Sequence, residues 1–439
     1  MNKVSNCLLF ISLPAVAFSQ QMTDYTGPVF PSDHALNMPI NELPVHSNSA
    51  NFVAGIGANT AFHPDFGTSW NDEGTLRQIG IPYNVVGEGQ PMVPIAFVLY
   101  ADESDPGPWP IPQNPYIETV FDWRDTDPGD RHMLIIDSSN HILYETGNVF
   151  GNANGTSWEG GCGALFDLQS NELRPATWTS ADAAGLPVFP LLIRYDEVER
   201  ALATGDEIPH AIRFTVASTQ RAFIWPARHY ASSSTDPNRP PMGLRFRLKA
   251  DFDLSAFSPR MQVILRTFKK YGIIVADNGS NWYFQGTHDV RWDDDEINSL
   301  KNLHGRDFEA VDISPWINRP GFDPNSAAVP EGSTTGIYES PDHHITPNMM
   351  LFQNHPNPFS ASTFISFVIP EREKICIKIY TALGAELATL LNEEKAAGYY
   401  TMQWNGCDAA GKRAGNGVYF CRIETGDRIS NTIKMIQLE

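Results

Sequence analysis

Proton-transfer chemistry needs ionisable side chains that can be brought close together, and the middle of the chain offers Asp196, Glu197, His210 and His229. Two carboxylates flanking a glycosidic bond can serve as acid and base or as acid and nucleophile, with their separation in space setting the outcome. A histidine or tyrosine base beside an arginine that neutralises a uronate suits β-elimination instead. Arg213, Arg228 and Asp277 are the companions that would bind such a substrate. Trp158 and Trp282 lie in Gly- and Asn-containing loops, where a flat ring could stack on a sugar. The acidic stretches Asp102-Glu103-Ser104-Asp105 and Asp122 to Asp130 leave room for a structural calcium, although neither has EF-hand spacing, and no cofactor is indicated.

Each of these residues also has a structural explanation. Asp196 and Glu197 stand where a helix should start, and acids there stabilise a helix by about 0.3–1 kcal/mol. Arg228-His229 follows Trp225-Pro226 at a strand end, a place for an ion pair or a histidine bonded to backbone. Asp277-Asn278-Gly279 is turn chemistry, and His132 opens a strand after Asp130-Arg131. Strand alternation puts His210, Ile212 and Phe214 on one face and Arg213 and Thr215 on the other, so His210 and Arg213 converge only if a bulge intervenes. Gly-x-Ser-x-Gly, His-Glu-x-x-His, a phosphate-binding loop and a Gly-x-Gly-x-x-Gly opening a helix are all missing, which disfavours nucleotide-dependent chemistry and zinc proteolysis.

The elements that must position these residues are mostly strands. Short, turn-bounded β patterns run over Val93 to Tyr100, Met133 to Asp137, Ile142 to Glu145, Ala211 to Val216, Ala222 to Trp225, Leu244 to Ala250 and Ile273 to Ala276. In Leu244 to Lys249, apolar and basic residues alternate strictly, so three cations should point to water or to a ligand. Helices are expected over Tyr195 to Ala203, over Pro259 to Tyr271 with Ser258 as N-cap, and over Asp293 to Leu303 behind a run of four acids. The pattern fits a jelly-roll-like β-sandwich with a few accessory helices.

Composition agrees. The 439 residues are enough for two folded units plus tails, and 33 Gly with 33 Pro favour turns over long helices. The net charge of −20 argues against nucleic acid or an anionic membrane as the main partner. Acidity is concentrated early: residues 20 to 190 hold 21 acids and four basic residues, whereas 191 to 300 hold 14 of each.

The first 19 residues have Lys3, the apolar run Cys7 to Leu13, a Pro14 break and small residues at Ala17 and Ser19, the pattern of a secretory signal peptide cleaved before Gln20. That run is too short to span a bilayer, and no later one is long enough. Cys162, Cys376, Cys407 and Cys421 remain after cleavage, with Cys407 to Cys421 the first pairing to consider beside isolated thiols. Residues 20–44 read as an N-terminal extension, 45–317 as the cargo domain and 318–350, rich in Pro, Gly, Ser and Asp, as a linker.

Beyond the linker, short strands between Gly, Asn and Asp clusters read as a small immunoglobulin-like antiparallel sandwich over 351–439. Its blocks are Asn354-His355-Pro356-Asn357-Pro358-Phe359, TFISFVIP, KIYTALGAELATL, AGYYTMQWNGCDAAGKRAGNGVYFCRI and IKMIQLE. In this order they resemble the type A C-terminal sorting domain of type IX secretion (Por) cargo. The resemblance implies a bacterium of the Bacteroidetes or a related phylum, passage through the periplasm, and transfer by the type IX machinery to the outer cell surface or the medium. It also implies that the module is an address, commonly removed after transport. The cargo blocks GLPVFPLLIRYDEV, HAIRFTV, IWPARHYASSSTDPN, PPMGLRFRLKADFDLSAFSP and YGIIVADNGSNWYFQG resemble an uncharacterised family of secreted bacterial proteins, which brings no catalytic residues with it. The expectation is therefore an exported protein that acts on extracellular polysaccharide as a glycosidase or lyase. The alternatives are a non-catalytic carbohydrate-binding or adhesive protein and a surface scaffold with no small-molecule ligand.

Overall fold

The computed structural model describes residues 22–126, 129–319, 322–329 and, with short gaps, 350–438. The signal peptide, most of the Pro/Gly-rich linker and residues 355–358 of the Asn-His-Pro block lie outside the described residues. The protein is mainly β, with several sheets and few helices, consistent with the sandwich class expected. No described helix is long and apolar enough to cross a membrane.

A six-stranded mixed sheet holds the centre, in the order His63–Asp65, Tyr283–Gln285, Ile212–Val216, Ile273–Asn278, Arg245–Leu248, Phe308–Ala310. Its first and second strands run parallel, as do its third and fourth, and its other pairings are antiparallel. Cross-strand register sorts the side chains onto two faces. Pro64, Phe284, Phe214, Val275, Ile273 and Phe246 fall on one face. The helix Pro259–Lys270 packs there, with Phe268 edge-on to Phe284 at 5.3 Å.

That helix forms where the sequence placed it. Ser258 caps it, its side chain accepting from the Met261 N–H at 3.3 Å, and Pro259 fills the first position. Met261, Ile264, Leu265 and Phe268 are buried at 3–4 spacing, while Lys269 and Lys270 end the helix at its negative pole. The helix Tyr195–Thr204 is ended by Gly205, whose φ of 79° suits the glycine there. The third expected helix is shorter: Asp294–Asn298 behind the Asp293 cap, followed by a 3-10 turn over Ser299–Asn302.

A second, four-stranded sheet runs Cys162–Asp167, Ile142–Gly147, Met133–Asp137, Tyr83–Val86. Leu134 and Ile136 join the large core, whereas Met133 and Ile135 join a smaller one with Trp109, Trp123 and Trp158. Both faces of Met133–Asp137 are thus buried, which explains its unbroken apolar run. Residues 22–43 contribute Met22, Tyr25, Phe30 and Leu36 to the large core, and Ala35, Ile40 and Leu43 to a third cluster. The expected 93–100 strand is confined to Ile95–Phe97, and 222–225 is no strand but carries a single bridge from Phe223 to Met242.

The C-terminal residues form a three-stranded sheet (Met350–Leu351, Thr363–Ile369, Gly398–Trp404) and a four-stranded antiparallel sheet (Glu386–Lys395, Glu373–Thr381, Gly417–Thr425, Arg428–Gln437). Their buried residues, among them Ile365, Ile377, Trp404 and Ile423, make a core of their own. Cys407 and Cys421 do not pair: Cys162, Cys376, Cys407 and Cys421 are all free thiols.

Candidate active site

The other face of the six-stranded sheet is polar. His63 and Asp65 lie beside Tyr283 and Gln285 in parallel register, and Thr215 stands across from Tyr283, two residues along from Arg213. The His63 and Tyr283 rings stack at 4.1 Å. Asp277 reaches this face through a bulge. The register between Ile212–Val216 and Ile273–Asn278 slips after Phe214, so that Thr215 pairs with Asp277 rather than Ala276. Without that extra residue Asp277 would point into the apolar face; a bulge re-aims it.

The segment 179–184 lines this face. Asp182 is fully buried and grips the buried Arg213 with two hydrogen bonds, Nε to Oδ2 at 3.0 Å and Nη2 to Oδ1 at 2.6 Å. Arg213 Nη1 is also buried and has no hydrogen-bond partner among the described residues. On either side of Asp182, the Ala181 carbonyl faces His132 Nε2 at 3.1 Å and the Ala183 carbonyl faces His229 Nδ1 at 2.8 Å. The second nitrogen of His132 meets Glu118 Oε2 at 2.7 Å. Both nitrogens of that ring therefore face acceptors, which suits an imidazolium.

The electrostatics divide the acids. Burial pushes the Asp65 carboxyl up, the Glu118 charge pushes it further, and the Gln285 amide 3.4 Å away and Arg213 pull it back only in part. Burial would raise Glu118 too, but the charge and hydrogen bonds of His132 outweigh it and hold Glu118 below the ordinary range. For His132, the Glu118 carboxylate overcomes burial and lifts the ring to about 9. Asp277 is raised to about 7 by burial and then by the Asp182 charge. Glu145, also raised to about 7 by burial, serves structure: it accepts from the Val188 and Phe189 N–H groups at 2.7–3.0 Å and anchors the turn Phe189–Leu191. Carboxyls that feel one another's charge and are pushed in opposite directions, Asp65 up and Glu118 down, are the arrangement that acid–base catalysis uses.

Glu197 and His210 do meet, but in a separate cleft of about 510 Å³ lined also by Tyr25, Ser32, Asn37 and Tyr271. His210 Nε2 lies 3.1 Å from Glu197 Oε2, its Nδ1 lies 2.8 Å from the Ala211 carbonyl, and Arg194 pairs with the other carboxylate oxygen. Burial raises Glu197, and the Arg194 and His210 charges more than reverse it. A carboxylate so fully engaged is a structural anion rather than a proton donor. Asp196 turns to Arg200 at 2.8 Å, an i,i+4 pair on the helix. As alternation implied, His210 and Arg213 do not converge.

Other expected site residues are structural. Trp158 is 4% exposed and packs on Trp123 at 5.1 Å; Trp282 is fully buried, stacked on Phe62 and Phe214. Neither offers a face to a sugar. Arg228 donates to the Arg174 and Pro324 carbonyls at 2.6 Å and to Asn325, tying loops together. The cations of the alternating strand are also spoken for. Arg245 is buried, lowered to about 9 by burial, and donates to the Ala35 and Tyr271 carbonyls. Arg247 holds the Ile40, Asn41 and Leu43 carbonyls, and Lys249 the Arg306 carbonyl. In the acidic loops, Asp105 pairs with Arg174, Asp122 with Arg124 and Asp125 with Arg77. Among the described residues, no three or more His, Cys, Asp or Glu side chains group to hold a metal.

No family model matches the chain, and no curated protein matches it. Among solved structures, latent PorU from Porphyromonas gingivalis aligns at 20% identity over 20% of this chain and 9% of its own, with a TM-score of 0.19. PorZ, an essential surface component of the type IX secretion system of the same bacterium, aligns at 18% identity over 21% of this chain and 11% of its own, with a TM-score of 0.16. FlgD from Xanthomonas campestris, a protein of flagellar hook capping, aligns at 21% identity over 20% of this chain and 66% of its own, with a TM-score of 0.16. The chain thus spans about a tenth of PorU and PorZ. Likenesses of this size leave the cargo residues to be read on their own chemistry.

Proposed function

We propose that the protein is an exported glycoside hydrolase that acts on extracellular polysaccharide at the polar face of the six-stranded sheet. One observation carries the reading: Asp65 and Glu118 are carboxyls within electrostatic reach of one another, the first pushed above the ordinary carboxylate range and the second held below it. Asp65, its carboxyl pushed up by burial and by the Glu118 charge, donates to the leaving glycosidic oxygen. Glu118, kept ionised by His132, acts on the opposite side of the sugar as base or nucleophile. Asp277, on the same face, binds substrate hydroxyl or amino groups.

Lyase chemistry loses its support because both arginines that would neutralise a uronate are committed, Arg213 to Asp182 and Arg228 to backbone carbonyls. The adhesive reading loses Trp158 and Trp282, which are buried. Export rests on the apolar run at residues 7 to 13 and on the ordered C-terminal blocks, which would direct the chain through the periplasm to the type IX machinery and the outer surface. The test is release of reducing ends from a polysaccharide panel, without the ultraviolet absorbance of an unsaturated uronate, and loss of that release in Asp65→Asn and Glu118→Gln.

A further inference from the structure

We infer that Trp70 and Phe121 form an aromatic subsite beside the polar face, on which flat pyranose rings of the polysaccharide stack, so that a β-linked pyranose chain is bound and a furanose chain is not. This names the substrate class of the proposed hydrolase and rests on that reading.

Of the ten tryptophans only Trp70 is exposed, at 48%, so it is the indole most open to a ligand. Its N–H has no hydrogen-bond partner among the described residues. The ring sits on the hairpin of Ser69–Asp72 and Thr75–Gln78, directly opposite Arg77. Cross-strand alternation gives Trp70 the polar companions Asp72, Thr75 and Arg77 and turns Leu76 to the other side. Phe121 is 39% exposed and set edge-on to His288 at 5.7 Å. Open rings among hydrogen-bonding side chains suit a sugar, whose faces are apolar and whose edges carry hydroxyls. A protein partner would call for a continuous apolar patch instead.

Both rings are tied to the proposed site through the backbone. Trp70 follows Asp65 by five positions, and Phe121 follows Glu118 by three. The two segments are joined to each other: the Gln78 N–H donates to the Thr119 carbonyl at 3.1 Å, and Gln78 Nε2 to the Val120 carbonyl at 2.9 Å. Arg77 reaches from the Trp70 face of the hairpin to Asp125 Oδ2 at 3.0 Å, which brings the loop from Glu118 to Asp125 to that side. Thr119 has a φ of 75°, a conformation that β-branched residues seldom take, and the bond from Gln78 holds it there. The base of the hairpin is fixed as well, since Asp294 accepts from the Thr68 N–H at 2.9 Å and from the Thr68 hydroxyl. Rings presented on held backbone bind a ligand at little ordering cost.

The test uses the full chain and four immobilised polymers: cellulose, xylan and chitin, which are built of pyranoses, and inulin, which is built of fructofuranose. Retention and reducing-end release are measured on each for wild type, Trp70→Ala, Trp70→Phe and Phe121→Ala, with Leu99→Ala as a control for exposed apolar surface elsewhere. Acrylamide quenching of tryptophan fluorescence is measured with and without the soluble hexasaccharide of the polymer retained. The expected result is retention on at least one pyranose polymer and none on inulin. Trp70→Ala and Phe121→Ala should each weaken it about tenfold, Trp70→Phe should weaken it less, and Leu99→Ala not at all. The hexasaccharide should reduce quenching in the wild type, where Trp70 is the exposed indole, and not in Trp70→Ala. Retention unchanged in both Trp70→Ala and Phe121→Ala, equal retention on inulin, or no retention on any polymer would overturn the inference; continued reducing-end release in those cases would leave the hydrolase standing. Retention with Trp70 protected but no release would uphold the subsite and remove the hydrolase.

Discussion

Glu118 Oε2 lies 2.7 Å from His132 Nδ1, and the far nitrogen of the same ring faces the Ala181 carbonyl at 3.1 Å. The pair joins the loop that carries Glu118 to the strand Met133–Asp137 and to the Asp182 segment. His132 is lifted from an ordinary 6.5 to about 9, so the folded protein binds its proton more tightly than the unfolded chain does. The stability this gives is complete below about pH 6.5 and is lost as pH rises through about 9. Urea midpoints measured from pH 6 to 10 should fall across that window, and His132→Gln should flatten the fall.

Asp277 has the opposite chemistry and the same slope. Its carboxyl rises from 3.8 to about 7 on folding, so between those values the folded state holds the extra proton and stability falls as pH increases. Asp277→Asn removes that proton dependence. At pH 8 the variant should be more stable than wild type by about 1–3 kcal/mol, given 1.36 kcal/mol for each pKa unit and partial relaxation, and the gain should vanish near pH 4. Thermal unfolding at the two pH values checks this.

Arg213 and Asp182 form a buried pair whose parts depend on each other. Either single change, Arg213→Met or Asp182→Leu, should cost about 3–5 kcal/mol because it strands a charge, whereas the double variant should recover much of the loss. A double-mutant cycle in urea reads the coupling directly.

Trp158 and Trp282 should behave as core residues. Each Trp→Ala change is expected to cost about 3–5 kcal/mol of unfolding free energy. At a temperature where the variants remain folded by circular dichroism, retention on immobilised glycans should be unchanged.

The regular elements were legible because their signals are local. Ser258-Pro259 ahead of Pro259–Lys270, and the acids Asp196 and Glu197 in the first turn of Tyr195–Thr204, mark two helices within a residue or so of where they lie. The site was legible only in part. Arg213 and Asp277 stand out in the sequence as companions, but Asp277 comes to the face that carries Arg213 through a one-residue bulge that nothing in Ala276-Asp277-Asn278 announces. Asp65 and Glu118 sit 53 positions apart, on a three-residue strand and in a loop, so the influence of one charge on the other is a product of tertiary structure. Two signals were available: His132, noticed as the opening of a strand, and the isolated acids in a stretch almost free of basic residues. Glu197 and His210 show the converse, since proximity was found there and chemistry was not, with Arg194 completing an ion-pair network.

The assignment of acid and base to Asp65 and Glu118 is tested most directly by reducing-end release from a polysaccharide panel with four proteins: wild type, Asp65→Asn, Glu118→Gln and, as a control from the other cleft, Glu197→Gln, all at a temperature where each is folded. The expected result is turnover by the wild type, a loss of about 10²–10⁴-fold in kcat for both Asp65→Asn and Glu118→Gln, and retained turnover in Glu197→Gln. Full activity in Asp65→Asn and Glu118→Gln, or loss confined to Glu197→Gln, would place the chemistry in the Arg194–Glu197–His210 cleft and contradict the assignment.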